Sequence, residues 1–225
     1  TRDGELVVMH DETLKRTTGS EGRIAEKTLA ELRRLECGGW RDSRFRGEPI
    51  PTLEEALALS PVHGVCFNVE VKAFARAGSA ARLAGLLRAA SPGSGRSHVV
   101  SSFQLEALLQ VRRADDGIPL ALLGKFPAIL ATAREEGFAW IHGQFEGATP
   151  ELVDEAHGAG LRVMVWTLND PGLFDGHAGM GVDKICTDRP ATMLRARDTW
   201  LEGRDLTRAL GAGERATRGN TGADG

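Results

Sequence analysis

Val65-Cys-Phe-Asn-Val-Glu-Val-Lys72 is followed by an Ala- and Leu-rich segment from Arg76 to Ala90, and then by Val99-Val-Ser-Ser-Phe103. Branched apolar residues at both ends and a helix former's composition between them read as strand, helix, strand. The pattern then continues outward along the chain. A helix is expected from Leu105 to Arg113, a short apolar strand from Pro119 to Leu123, a helix from Pro127 to Glu136 and a strand from Phe138 to His142. Thr149-Pro150 is a helix start, with an N-cap hydroxyl and a proline in the first turn, and Gly158 and Gly160 stop that helix. Val163–Trp166 and Lys184–Cys186 are further strands, and Pro190 opens a last helix to about Leu201. Six strand-plus-helix units from Val65 onward imply a parallel sheet with both faces covered. Such a run fits an open doubly wound sheet or part of an eight-unit barrel. The absence of G-x-G-x-x-G at every strand–helix turn weakens the dinucleotide-binding version.

Before Val65 the reading is looser. Asp3-Gly4 is a turn, and Glu5 to Met9 looks like the return arm of a hairpin. Thr28-Leu-Ala-Glu31 and Thr52-Leu-Glu-Glu55 are capping boxes, the first opening a helix through Leu35 that Gly38-Gly39 would end. The stretch from Arg204 to Gly225 is poor in large apolar residues and is expected to be a flexible tail, so the folded domain spans residues 1–203.

Composition sets outer bounds. Of 225 residues, 41% are hydrophobic and 26% charged, which suits a globular domain and not a disordered chain. Twenty-eight basic and thirty-one acidic residues give −3, a balance that does not suggest a nucleic-acid partner. No charge-free run is long enough for a membrane span. Cys37, Cys66 and Cys186 are odd in number and far apart, which favours reduced thiols over a disulfide or a zinc site. The chain begins at Thr1, with neither a methionine nor a signal peptide, so the sequence assigns no compartment.

In a barrel of this kind, chemistry collects at the carboxyl ends of the strands. Those ends here carry His10-Asp11, Ser101-Ser-Phe103, His142-Gly-Gln144, Trp166-Thr-Leu-Asn169 and Thr187-Asp188. Asn68, Glu70 and Lys72 are spaced by two, so all three face one side of their strand. A carboxylate and an ammonium on an inward face must pair or bind something. Spacing leaves open a plain ion pair, or a divalent cation on Glu70 with an anionic substrate beside Lys72. His63, His98, His157 and His177 fall in loops or helix ends and are expected to be surface or capping residues.

Taken together these residues resemble the glycerophosphodiester phosphodiesterase family. The matching stretches are Thr1-Arg-Asp-Gly4, Val7-Val-Met-His-Asp11, Leu14-Lys-Arg-Thr-Thr-Gly19, Ile50-Pro-Thr-Leu-Glu-Glu55, Asn68-Val-Glu-Val-Lys72, Ser101-Ser-Phe103, Val165-Trp-Thr-Leu-Asn169 and Gly181–Pro190. The resemblance implies a TIM-type (β/α)8 barrel that uses a divalent cation, Mg²⁺ or Ca²⁺, to release sn-glycerol 3-phosphate and an alcohol from a small glycerophosphodiester. By position, His10 corresponds to one of two acid/base histidines, Lys72 to a phosphoryl-stabilising lysine and Glu70 to one of three carboxylate metal ligands. Trp166, Phe103 and His142 are expected to contact substrate. The family's first strand ends in His-Arg-Gly and its second carries Glu-x-Asp; neither motif occurs in this sequence. The expectation is therefore a barrel lacking its first two strands, with an incomplete site and no activity of its own. Two other readings share the fold: a phospholipase-type phosphodiesterase, and a non-catalytic barrel that binds phosphate or lipid.

Overall fold

The computed structural model describes residues 1–90 and 97–218, with side chains as far as Arg204. Six parallel strands lie side by side in chain order: β1 Asn68–Glu70, β2 Val99–Ser102, β3 Leu120–Gly124, β4 Trp140–Gln144, β5 Arg162–Trp166 and β6 Lys184–Ile185. A doubly wound sheet reverses its strand order at a switch point. This one does not, so of the two architectures open to the sequence it is the barrel type.

The sheet's two faces are covered differently. Val71, Val100, Leu122, Ile141, Val163 and Val165 share the large core with helices α5 Ser79–Ala89, α6 Leu105–Ala114, α7 Ala128–Glu135 and α8 Pro150–Gly158. Each helix presents one apolar stripe to them. In α5 it is Ala80, Leu83, Ala84 and Leu87, at the three-and-four spacing that puts residues over one another. The opposite face packs only on itself, through Val99, Ala121, Trp140 and Met164. Lys184 lies 4.5 Å, and Arg162 5.3 Å, from the centroid of the Trp140 ring, so two cations cap this inner cluster.

The strand–helix alternation matches the sequence reading with small changes of boundary. β1 is three residues long where seven were expected, although Phe67 O still accepts from Val99 N and Val71 N still donates to Ser101 O. Helix α8 has the anticipated cap: Leu152 N donates to Thr149 Oγ1 at 3.2 Å, with Pro150 behind it. Helix α9, Phe174–Met180, lies between β5 and β6, and α10 runs Pro190–Arg218. The helix thus continues into the residues expected to be a tail. Residues 219–225 of that stretch lie outside the described residues.

The segment before β1 departs further from expectation. Glu5–Met9 is not a strand; it makes one antiparallel bridge, Val7 to Thr52, flanked by Val8 N to Pro51 O and Leu53 N to Leu6 O. Pro51 has no N–H to donate, and Thr52 at once caps helix α3, Leu53–Leu57, so the ladder has nowhere to extend. Helix α2, Leu29–Leu32, is one turn, begun by its capping box. Leu35 lies beyond it and packs beside the fully buried Leu14, Leu32 and Ile50, which form a small separate core. Helix α4, Leu59–His63, begins at Leu59, where the short helix opened by the Thr52 capping box is expected to end, and it leads into β1.

Candidate active site

Alternation along β1 turns Asn68 and Glu70 to the same side, and Lys72 follows one step beyond. Lys72 Nζ lies 2.5 Å from Glu70 Oε1, with both side chains about two-thirds buried. β1 pairs with β2 on one edge only, with Glu70 in register with Ser101. A cavity of 460 Å³ runs along the other edge. Segment 5–12 forms its opposite wall, held there by the Val7–Thr52 bridge, and delivers His10 and Asp11 to the same space as Asn68, Glu70 and Lys72.

His10 is exposed and its ring is fixed by a neighbour. Its Nδ1 lies 2.8 Å from Asp11 Oδ1. Asp11 is gripped in turn by Arg16, with Nε 2.5 Å from Oδ2 and Nη2 3.0 Å from Oδ1. Arg16, then His10, holds the Asp11 carboxyl well below the usual carboxylate range. Local structure explains the grip. Helix α1, Lys15–Thr18, is a single turn closed by Gly19 at φ +72°, and it places Arg16 back over Asp11. The Arg16 guanidinium also lies 5.0 Å from the centroid of the Trp40 ring. Adjacency of His10 and Asp11 in sequence did not establish a contact. Arg16 carried no signal beyond its place in a family-like stretch.

The remaining site candidates stand elsewhere. Phe103, exposed at the end of β2, meets Trp166 at the end of β5 edge to face, with ring centroids 5.9 Å apart. Neither lines the cavity that holds His10. His142, 1% exposed, lines a second cavity of 380 Å³ with Asn68, Val99, Met164 and Lys184. Burial, and then the Lys184 charge, push its pKa down to about 3. It is therefore neutral at ordinary pH and unsuited to proton transfer. Its Nδ1, Ser101 Oγ and Trp166 Nε1 are buried without a hydrogen-bond partner among the described residues. Asn169, Thr187 and Asp188 satisfy one another: Asn169 Oδ1 accepts from Thr187 Oγ1 and Asp188 N, and Asn169 Nδ2 donates to Asp188.

Two histidines expected at the surface are buried and structural. His98 accepts from Phe67 N and bonds Ala90 O, while His177 lies between Leu173 O and Phe145 O. Burial, Asp188 and Glu70 push the Cys186 thiol up. That a β1 carboxylate acts on a thiol just past β6 reflects the curl of the sheet. Among the described residues no three His, Cys, Asp or Glu side chains converge as a metal cluster. No helix among them is long and apolar enough to cross a membrane.

The chain is similar in sequence and fold to known proteins. The sequence model of the Glycerophosphoryl diester phosphodiesterase family matches residues 1–192. A glycerophosphodiester phosphodiesterase of Caldanaerobacter subterraneus is 30% identical over 199 residues, 86% of this chain and 81% of that protein. A phosphodiesterase of Oleispira antarctica, solved in complex with the product sn-glycerol-3-phosphate, superposes with a TM-score of 0.77 at 26% identity, over 88% of this chain and 81% of that one. A glycerophosphodiester phosphodiesterase of Agrobacterium tumefaciens gives a TM-score of 0.73 at 26% identity, covering 86% and 82%.

Proposed function

The chain belongs to the glycerophosphoryl diester phosphodiesterase family, and from that premise we propose that it hydrolyses glycerophosphodiesters to sn-glycerol 3-phosphate and an alcohol at the cavity beside β1. The observation that carries this reading is the meeting of His10, Glu70 and Lys72 on one 460 Å³ space, from segments sixty residues apart in sequence. Lys72 is a point charge suited to phosphoryl oxygens. Drawn from Glu70 toward a phosphate, its ammonium would offset the negative charge of the transition state. His10 turns Nδ1 to Asp11, which leaves Nε2 for a proton moving to or from an oxygen of the substrate. The reaction we favour is attack of the glycerol 2-hydroxyl on phosphorus, which expels the alcohol and leaves a cyclic phosphate. Water then opens that ring to sn-glycerol 3-phosphate. Phe103 and Trp166, which stand outside that cavity, are proposed to contact the substrate's organic part where it extends beyond it.

Mg²⁺ and Ca²⁺ take carboxylate, phosphate and water oxygens, and Mg²⁺ often uses only one or two protein carboxylates. Glu70 would hold such a cation, which supplies Lewis-acid polarisation of a phosphoryl oxygen when bound. A two-histidine transfer needs a second acid/base group, and among the described residues His10 is the histidine lining this cavity. The test is release of sn-glycerol 3-phosphate from glycerophosphocholine, with and without added Mg²⁺ or Ca²⁺. It is run on the 225-residue chain and on a form preceded by a segment bearing His-Arg-Gly and Glu-x-Asp strands. In the active form, His10→Ala should lose about 10²–10⁴ in kcat. Glu70→Ala should lose activity and cation dependence together. Full turnover by the His10 variant, or undiminished rate in excess chelator, would overturn the assignment.

A further inference from the structure

The charges around the cavity are almost all matched in pairs that do not include His10. Glu5 is held by Arg82, Glu12 by Arg23 at 2.6 Å, and Glu70 by Lys72 at 2.5 Å. The Thr1 ammonium donates to Glu5 O at 3.0 Å. The remaining pair is different, because its carboxylate touches the imidazole. Asp11 spans Arg16 and His10, and its side chain is 25% exposed against 76% for the His10 ring. A carboxylate ionised this firmly can only accept, so the His10 nitrogen facing it must carry a proton.

We propose that Arg16 is a positioning residue for His10: its guanidinium clamps both Asp11 oxygens, and Asp11 so fixed holds His10 as the Nδ1–H tautomer. The inference rests on reading His10 as the acid/base group. An exposed imidazole on a loop would otherwise sample both tautomers and several ring orientations. The bidentate geometry matters, since a planar guanidinium sets the plane of the carboxylate as well as its distance, which an ammonium cannot do. Trp40 completes the support by lying against the Arg16 guanidinium on the side of the 38–47 loop. Arg16 also offsets the Asp11 charge, so the carboxylate orients the ring without imposing its full field on it.

Long-range ¹H–¹⁵N NMR of the His10 ring reports the tautomer without any turnover. The wild-type chain should show His10 predominantly as Nδ1–H near neutral pH. Arg16→Gln and Asp11→Ala should shift it toward Nε2–H, and Arg16→Lys should recover only part of the wild-type preference. In the active form, Arg16→Gln should lower kcat about tenfold with KM within about twofold. A wild-type tautomer in a folded Arg16→Gln protein would overturn the proposal whatever the activity. No turnover by either the 225-residue chain or the form with the preceding segment, with the tautomer behaving as expected, would instead overturn the functional reading of the cavity.

Discussion

At the scale of single residues, the inner face of the sheet carries polar groups where an apolar core would be simplest. Lys72 and Glu70 lie partly out of water, so each depends on the other. Lys72→Met should therefore weaken folding as well as chemistry, by leaving the Glu70 carboxylate uncompensated. The double variant Glu70→Gln, Lys72→Met should regain part of that loss, as a double-mutant cycle in urea would show. His142 gives a pH signature. Its folded pKa of about 3 lies below the unfolded value near 6.5, so in that window the unfolded chain binds a proton that the native one refuses. Stability from this source is fully present above about pH 6.5 and is lost as pH falls toward 3, by up to about 1.4 kcal/mol per pH unit. His142→Leu should flatten that part of the stability–pH curve relative to wild type, and parallel curves would contradict the assignment.

At the scale of elements, each strand–helix unit is legible because two periodicities alternate, and each boundary depends on one or two residues. Thr149 is such a residue. Removing its hydroxyl in Thr149→Ala should cost about 1 kcal/mol by freeing the Leu152 N–H, and chemical denaturation measures it. Gly143 on β4 is another, for a different reason. A Cβ added there would run into the ring of Phe126. Gly143→Ala should cost about 1–3 kcal/mol, with the Phe126 ring displaced in the variant's structure. An unchanged unfolding midpoint would show that Phe126 moves aside freely. The segment before β1 follows another logic. There, single bridges and one-turn helices carry the chain around Leu14, Leu32 and Ile50, and no periodicity extends beyond a turn.

At the scale of the whole molecule, the sheet of the described residues has two edges. β1 and β6 each pair with one neighbour, and backbone N–H and C=O groups on their outer sides are templates for further pairing. The 225-residue chain should therefore self-associate with rising concentration, as sedimentation velocity would reveal, and a monodisperse monomer throughout would count against it. The sequence by itself determined the order of strands and helices from β1 to β5, the capping boxes and Thr149 cap, and the shared parity of Asn68, Glu70 and Lys72. These are local, set by spacing along one element and by hydrogen bonds within a turn. It determined the family as well, because motif order survives without coordinates. Only the tertiary structure decided that segment 5–12 faces β1 across a cavity, that Arg16 reaches Asp11, and that His98, His142 and His177 are buried while His10 is not. Those facts depend on which surfaces meet after the chain has turned back on itself, and a side chain's partner across sixty residues leaves no periodic trace in the sequence.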